Sequence, residues 1–263
     1  MRYRFIVFCV VLMGRCTQAA PINPSSVIEQ GEKQLRGETS QIQMRMMIRH
    51  AAYQRELMLR SWSVGKEKSL VVILEPPKEN GISSLRLLNQ MWNFFPNTDQ
   101  TIRIPTSVML QSWMGSDFTN DDLMKLSSLS ADYDHQLLKE LKYQNESVRL
   151  IQCTPKPKAP VVWGKILYWA RTKDNLPMKE EYYDEKEKLI RTLLLSEFKL
   201  MDDRIIPTKL SIESAENPGE STTITYEKAL YDRKIPDSQF ERGRLREISQ
   251  NAKNKNQAWL DLP

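Results

Sequence analysis

The 263-residue sequence is poor in the residues from which most enzyme sites are built. It has two histidines, His50 and His135, three cysteines and nine glycines. A Ser-His-Asp triad would have to use one of those histidines. Neither has an HxH or HxxxH neighbour for a metal, and lone histidines of this kind read as polar surface or turn residues. No GxGxxG, P-loop or GxSxG motif occurs. The loops of dinucleotide, nucleotide-phosphate and α/β-hydrolase chemistry are therefore missing. Asp132/Asp134 and Glu180/Glu181 are near neighbours in sequence, whereas a glycosidase holds its carboxylates across a cleft. Both pairs read as solvated charge. The expectation is a non-enzyme with no cofactor, no catalytic residue and no bound metal.

Long apolar runs are also lacking. Phe5 to Gly14 is too short to cross a bilayer comfortably as an ordinary helix. Arg2 and Arg4 precede it, and Thr17-Gln18-Ala19 offers the small residues of a cleavage site. This is the pattern of a secretory signal over residues 1–19, cut after Ala19. Residues 20–263 are then one domain with a loose C-terminal tail. Arg15 beside Cys16 suits lipoprotein acylation poorly, so no lipid anchor is expected.

Removing the leader takes Arg2, Arg4 and Arg15 with it. Lys+Arg falls from 38 to 35 against 33 acids, a net charge of +2 instead of +5. A general case for nucleic-acid binding disappears with that excess. Cys9 and Cys16 also leave, and Cys153 remains alone. That excludes an intrachain disulfide, and zinc-finger or iron–sulfur chemistry lacks thiolates.

What the sequence has is alternation. In QIQMRMMI, Ile42, Met44, Met46 and Ile48 share one strand face. RELMLRSW, SLVVILEPP, SLRLLNQMWNFFP, TIRIP, GKILYWAR, KLIRTLLLSEF, TKLSIES and TTITYEKAL each read as a strand. KEEYYDEKEKLIR reads as an exposed hairpin. Strand follows strand without βα alternation, so the fold class is mainly β (α+β), a single antiparallel sheet of about ten strands that curls or closes. Helices are few. One is expected from Val27 to Gln34 or Arg36, capped by Ser26 with Glu29 and stopped by Gly37. Others are Thr119 to Leu129, an ambiguous Ala131 to Leu141, and Asp237 to Ile248.

A curled sheet can enclose more volume than its side chains fill, although methionine-rich faces are usually core. Strand alternation nominates Ile42, Met44, Met46, Ile48, Leu57, Leu59, Val72, Leu74, Leu87, Trp92 and Phe94 as pocket candidates. In WMGSDFTNDD, Gly115-Ser116 reads as a turn. Thr119 is a good N-cap with Asp122 three residues later, a capping-box spacing. A full calcium ligand ladder is lacking.

The order of the motifs resembles a known family. Leu35-Arg36-Gly37 ends the first helix, then come the methionine-rich strand, ILEPP, Gly81, MWNFFP with Trp92 and Pro96, and IRIP. GSDFTNDDL follows, with Gly115, Ser116, Asp117, Phe118, Asp121 and Asp122, then Leu176-Pro177, IIPTKLSI, Ile235-Pro236-Asp237 and Phe240. This resembles the outer-membrane lipoprotein-sorting protein family, the LolA-like periplasmic lipoprotein or lipid carriers, in its longer branch with a GSDF motif. The resemblance implies a LolA/LolB-like curved, incomplete antiparallel β-barrel wrapped around a few helices, whose apolar hollow holds acyl chains. It implies a periplasmic carrier moving lipoprotein or lipid toward the outer membrane, with an inner-membrane transporter and an outer-membrane acceptor as partners. A monomer is a separate expectation that the resemblance does not supply. The alternative is a non-carrier adaptor or accessory transporter subunit of the same fold. A hydrolase using Ser116 and one histidine is a third reading.

Overall fold

The computed structural model describes residues 22–120, 122, 129–159 and 161–253. The expected leader, Asp121 and the end of the tail lie outside them. The first helix, α1, spans Pro24–Arg36. Asn23 caps it, its side chain accepting from the Ser25 N–H at 3.0 Å. Ser26 is therefore not the cap. Proline at the first helical position is pre-set for the helix and leaves the cap to the residue before it. Gly37 does end the helix, at φ 66°, its N–H donating to the Lys33 carbonyl at 2.8 Å.

Among the described residues thirteen strands follow, instead of about ten. They are β1 (Thr39–His50), β2 (Tyr53–Val64), β3 (Lys68–Glu75), β4 (Ser83–Leu87), β5 (Gln90–Phe95), β6 (Gln100–Arg103), β7 (Tyr133–Tyr143), β8 (Glu146–Pro155), β9 (Lys165–Arg171), β10 (Pro177–Tyr183), β11 (Leu189–Met201), β12 (Arg204–Ser214) and β13 (Ser221–Tyr231). SLRLLNQMWNFFP is two strands, turning at Leu88 with φ 51°. The ambiguous segment from Ala131 is a short helix, α2 (Leu129–Asp132), running into β7. Asp237 to Ile248 is not one helix. It is two 3-10 turns, Asp237–Phe240 and Arg242–Arg244, before α3 (Leu245–Lys253).

All strands form one antiparallel sheet in the order β6-β5-β4-β3-β2-β1-β13-β12-β11-β10-β9-β8-β7. It is open, with β6 and β7 at its edges. Two meanders thus meet at the β1–β13 pairing, and the chain between β6 and β7 must travel from one edge to the other.

The register sorts the side chains. Met44 pairs with Leu59 and Tyr226, and Met46 with Leu57 and Ile224. Ile42, Met44, Met46, Ile48, Leu57 and Leu59 fall in one core cluster with Trp113, Phe118, Ile212 and Ile224. This is the inner face. On β3, Val71 and Ile73 pack with that cluster, while Leu70 and Val72 point the other way. The outer side carries its own core: Leu70, Val72, Leu85, Trp92 and Phe94 beneath Ile235, Phe240, Leu245 and Ile248. A third cluster seats Val27 and Ile28 of α1 against Ile151, Ile166 and Tyr168. Among the described residues no helix is long and apolar enough to cross a membrane.

Candidate functional site

A cavity of about 280 Å³ lies on the inner face of the sheet, with α1 contributing Glu32, Leu35 and Arg36 to its lining. A single buried water needs about 10–15 Å³ in comparable terms, so this is space for a molecule and not a packing defect. Its walls come from both meanders because the β1–β13 pairing brings them together. Met44, Met46, Leu59, Leu210, Ile212 and Ile224 supply an apolar region, and Trp113 and Phe118 of the GSDF segment also line it. The alternation expected in TKLSIES and TTITYEKAL puts Leu210, Ile212, Ile224 and Tyr226 on this wall. Ser211 and Thr223 are left to hydrogen-bond on the other face at 2.9 Å.

Of the pocket candidates, Ile42, Met44, Met46 and Leu59 line the cavity. Ile48 and Leu57 pack in the same inner cluster without lining it. Val72, Leu74, Leu87, Trp92 and Phe94 do not reach it. They belong to the outer core under α3. The reason is parity: β3 is apolar on both faces, and one position along a strand changes the face.

The GSDF segment is a strap across the sheet. Trp113 Nε1 donates to Ser84 Oγ of β4 at 2.9 Å, and Ser84 Oγ donates to Asn93 Oδ1 at 2.7 Å. Arg55 of β2 donates to the Met114 carbonyl at 2.6 Å, and Tyr53 to that of Gly115 at 3.0 Å. The Asp117 N–H donates to Thr222 Oγ1 of β13 at 2.9 Å, and that hydroxyl donates back to Asp117 Oδ2 at 2.6 Å. Asp122 then meets Arg191 of β11. The motif therefore fastens strands of both meanders in turn as the chain crosses from β6 toward β7.

The expected capping box is present. Thr119 Oγ1 accepts from the Asp122 N–H at 3.1 Å, and Asp122 Oδ2 accepts from the Thr119 N–H at 2.7 Å. Ser116 Oγ is buried and committed to its own turn, donating toward the Trp113 carbonyl at 2.7 Å and accepting from the Phe118 N–H at 3.2 Å. Neither histidine partners it. His50 Nδ1 stands 3.1 Å from Glu220, while His135 bridges Ser25 Oγ and the Leu129 carbonyl, each at 2.9 Å.

Sequence reasoning missed the charged lining. Glu180 is buried, not solvated. Burial pushes its carboxyl up to about 7 against the opposing hydrogen bond from Tyr182. Burial alone would lower the Arg191 guanidinium, but Asp122 overrides it and the net shift is upward. Arg191 also lies 4.6 Å from the Trp163 ring and 4.5 Å from that of Tyr182. Arg36 and Arg86 complete the cations of the lining. Their partners are remote in sequence, so only the alternating position of Glu180 with Tyr182 signalled a shared face. Among the described residues no cluster of three His, Cys, Asp or Glu side chains is placed to hold a metal ion.

A family model described only as an uncharacterized protein matches residues 65–247. No curated protein sequence matches the chain. A DUF1329 family protein from Desulfovibrio piger ATCC 29098 has 23% identity and a TM-score of 0.78, over 84% of this chain and 97% of that one. An outer membrane lipoprotein-sorting protein domain from Vibrio parahaemolyticus has 21% identity and a TM-score of 0.74, over 85% of this chain and 98% of that one. A LolA superfamily protein from Nitrosomonas europaea has 23% identity and a TM-score of 0.72, over 85% and 99%. At such identities these likenesses establish the fold. The family model covers well over half of the chain, so the chain belongs to that uncharacterized family, with a fold like those of the LolA superfamily and lipoprotein-sorting structures.

Proposed function

We propose that this protein is a periplasmic carrier that takes acyl chains of lipoproteins or lipids into its cavity and moves them toward the outer membrane. Export through the cleaved leader over residues 1–19 is part of this reading, as are an inner-membrane donor and an outer-membrane acceptor. The carrying observation is the cavity of about 280 Å³ lined by Met44, Met46, Leu59 and Ile224. A non-carrier adaptor of the same fold needs no such space.

No bond has to be made or broken. Each buried methylene contributes about 0.8 kcal/mol, so one chain binds firmly yet reversibly. That suits a protein that must both accept and release. Methionine side chains adapt to chains of differing shape.

The test is mass spectrometry of lipid extracted from the purified mature protein, with displacement of a bound neutral fluorescent dye by lipids. Met44→Trp should lower affinity at least about tenfold while the protein stays folded, because the added ring occupies the space. Absence of any lipid binding by the folded wild type would overturn the proposal.

A further inference from the structure

One part of the cavity wall is built from hydroxyls. Alternate residues of β1 on this wall are Ser40, Ile42, Met44 and Met46, so the lining changes from hydroxyl to thioether over about 20 Å of strand. Ser40 pairs with Ser63 of β2, and the two hydroxyls are hydrogen-bonded at 2.7 Å. Ser63 pairs in turn with Ser69 of β3, while Ser61, on the same face of β2, pairs with Ile42. All four serines line the cavity. A hydroxyl both donates and accepts, so such a row suits a partner that does the same.

The charged groups of the lining cancel. The carboxyl side chains of Glu32, Asp122 and Glu180 line the cavity together with the guanidinium groups of Arg36, Arg86 and Arg191. Asp122 and Arg191 meet at 2.5 Å, and Arg191 also acts on Glu180. Glu32 is matched by Lys66 at 3.0 Å. Burial lowers the Arg36 guanidinium, and Glu32 and Glu38 both oppose that. At Arg86 burial and the nearby Arg36 lower the guanidinium to about 10, and Glu67 opposes them. Just outside the lining, Lys33 stands 3.5 Å from Glu38. With Glu180 ionised the walls therefore present no excess of either sign. A charged headgroup would lose its water and find no free counter-charge. An uncharged one loses only hydrogen bonds that the serines replace.

Resting on the carriage reading above, we propose that the cavity takes a single-chain amphiphile with an uncharged, hydroxyl-bearing headgroup, of the monoacylglycerol class. The headgroup sits at Ser40, Ser61, Ser63 and Ser69. The chain extends along β1 toward Met46 and Ile224. The volume of about 280 Å³, at the small end of ligand pockets, sets the limit of one chain.

The test is displacement of the neutral dye N-phenylnaphthylamine at pH 8, where Glu180 is largely ionised, by 1-monolaurin, methyl laurate, lauric acid and dodecyltrimethylammonium. The monolaurin should bind about tenfold tighter than methyl laurate, which lacks hydroxyls, and tighter than either charged compound. Ser40→Ala combined with Ser63→Ala removes both ends of one hydrogen bond and strands neither partner. This double variant should bring monolaurin to the level of methyl laurate and leave methyl laurate unchanged. Ser61→Ala should shift monolaurin in the same direction, which keeps the test valid if the double variant does not fold. Tighter binding of the acid or the ammonium compound overturns the uncharged headgroup. Equal affinity of monolaurin and methyl laurate, or folded variants that keep the wild-type preference, overturns the placement at the serines. Each of these results leaves carriage standing. Failure of all four compounds overturns both.

Discussion

Arg191 grips Asp122 with both ends of its guanidinium, Nη1 to Oδ2 at 2.7 Å and Nη2 to Oδ1 at 2.5 Å. The side chains are 7% and 15% exposed. One belongs to β11 and the other to the strap between β6 and β7, so the pair fastens the GSDF segment to the far meander. Breaking a buried pair leaves one charge uncompensated, at a cost of about 3–5 kcal/mol. Arg191→Met should therefore lower stability by that order in urea unfolding. The double variant with Asp122→Asn should recover part of it, since no lone carboxylate is left. Purely additive losses would show that the two residues act independently.

Glu180 makes stability fall as pH rises. Its folded-state pKa is about 7 against an ordinary 4.5, raised first by burial, opposed by the Tyr182 hydrogen bond, raised by Glu32, opposed by Arg191 and raised by Asp122. Between those values the native state holds a proton that the unfolded state has lost, so stability present below about pH 4.5 is lost through about pH 7. The size is on the order of 3 kcal/mol. His135 works the other way in part of that range. Its pKa is lowered, first by burial, so its contribution is lost as pH falls. The difference in urea midpoint between pH 5 and pH 8 should thus shrink or reverse in Glu180→Gln. An unchanged difference would mean that Glu180 is ionised throughout.

Trp113 holds the near end of the strap through one hydrogen bond to Ser84 in a buried chain that continues to Asn93. Trp113→Phe should cost about 1–3 kcal/mol, because it strands a buried hydroxyl acceptor as well as losing ring volume. Ser84→Ala in the same background should then cost less than it does in the wild type. Thermal unfolding of the four proteins measures this coupling. A coupling near zero would place the strap's hold on ring packing alone.

Much of the sheet was legible because strands with one wet face alternate. Leu210 and Ile212 against Lys209, Ser211 and Glu213 is such a case, and the inner face of β1 is another. The capping box at Thr119 and Asp122 was legible because it is local, closing over three residues. The start of α1 was misplaced by a competing local signal, the proline that leaves the cap to Asn23. Neither β7 nor β8 carries a clean local signal. β7 follows a short helix without a break, and β8 carries neighbouring apolar residues at Leu150 and Ile151.

The sequence by itself determined a mainly β chain, the methionine face of β1 and the cap of the strap. These rest on spacing within a few residues. Only the tertiary structure decided which of the two apolar faces of β3 meets the cavity, because both faces are buried, one under α3 and one inside the sheet. It also decided that Glu180 is buried and that Arg191 meets Asp122 across 69 residues of chain. Pairing over such distances follows from the sheet order, in which β1 lies beside β13, and no local pattern carries that information.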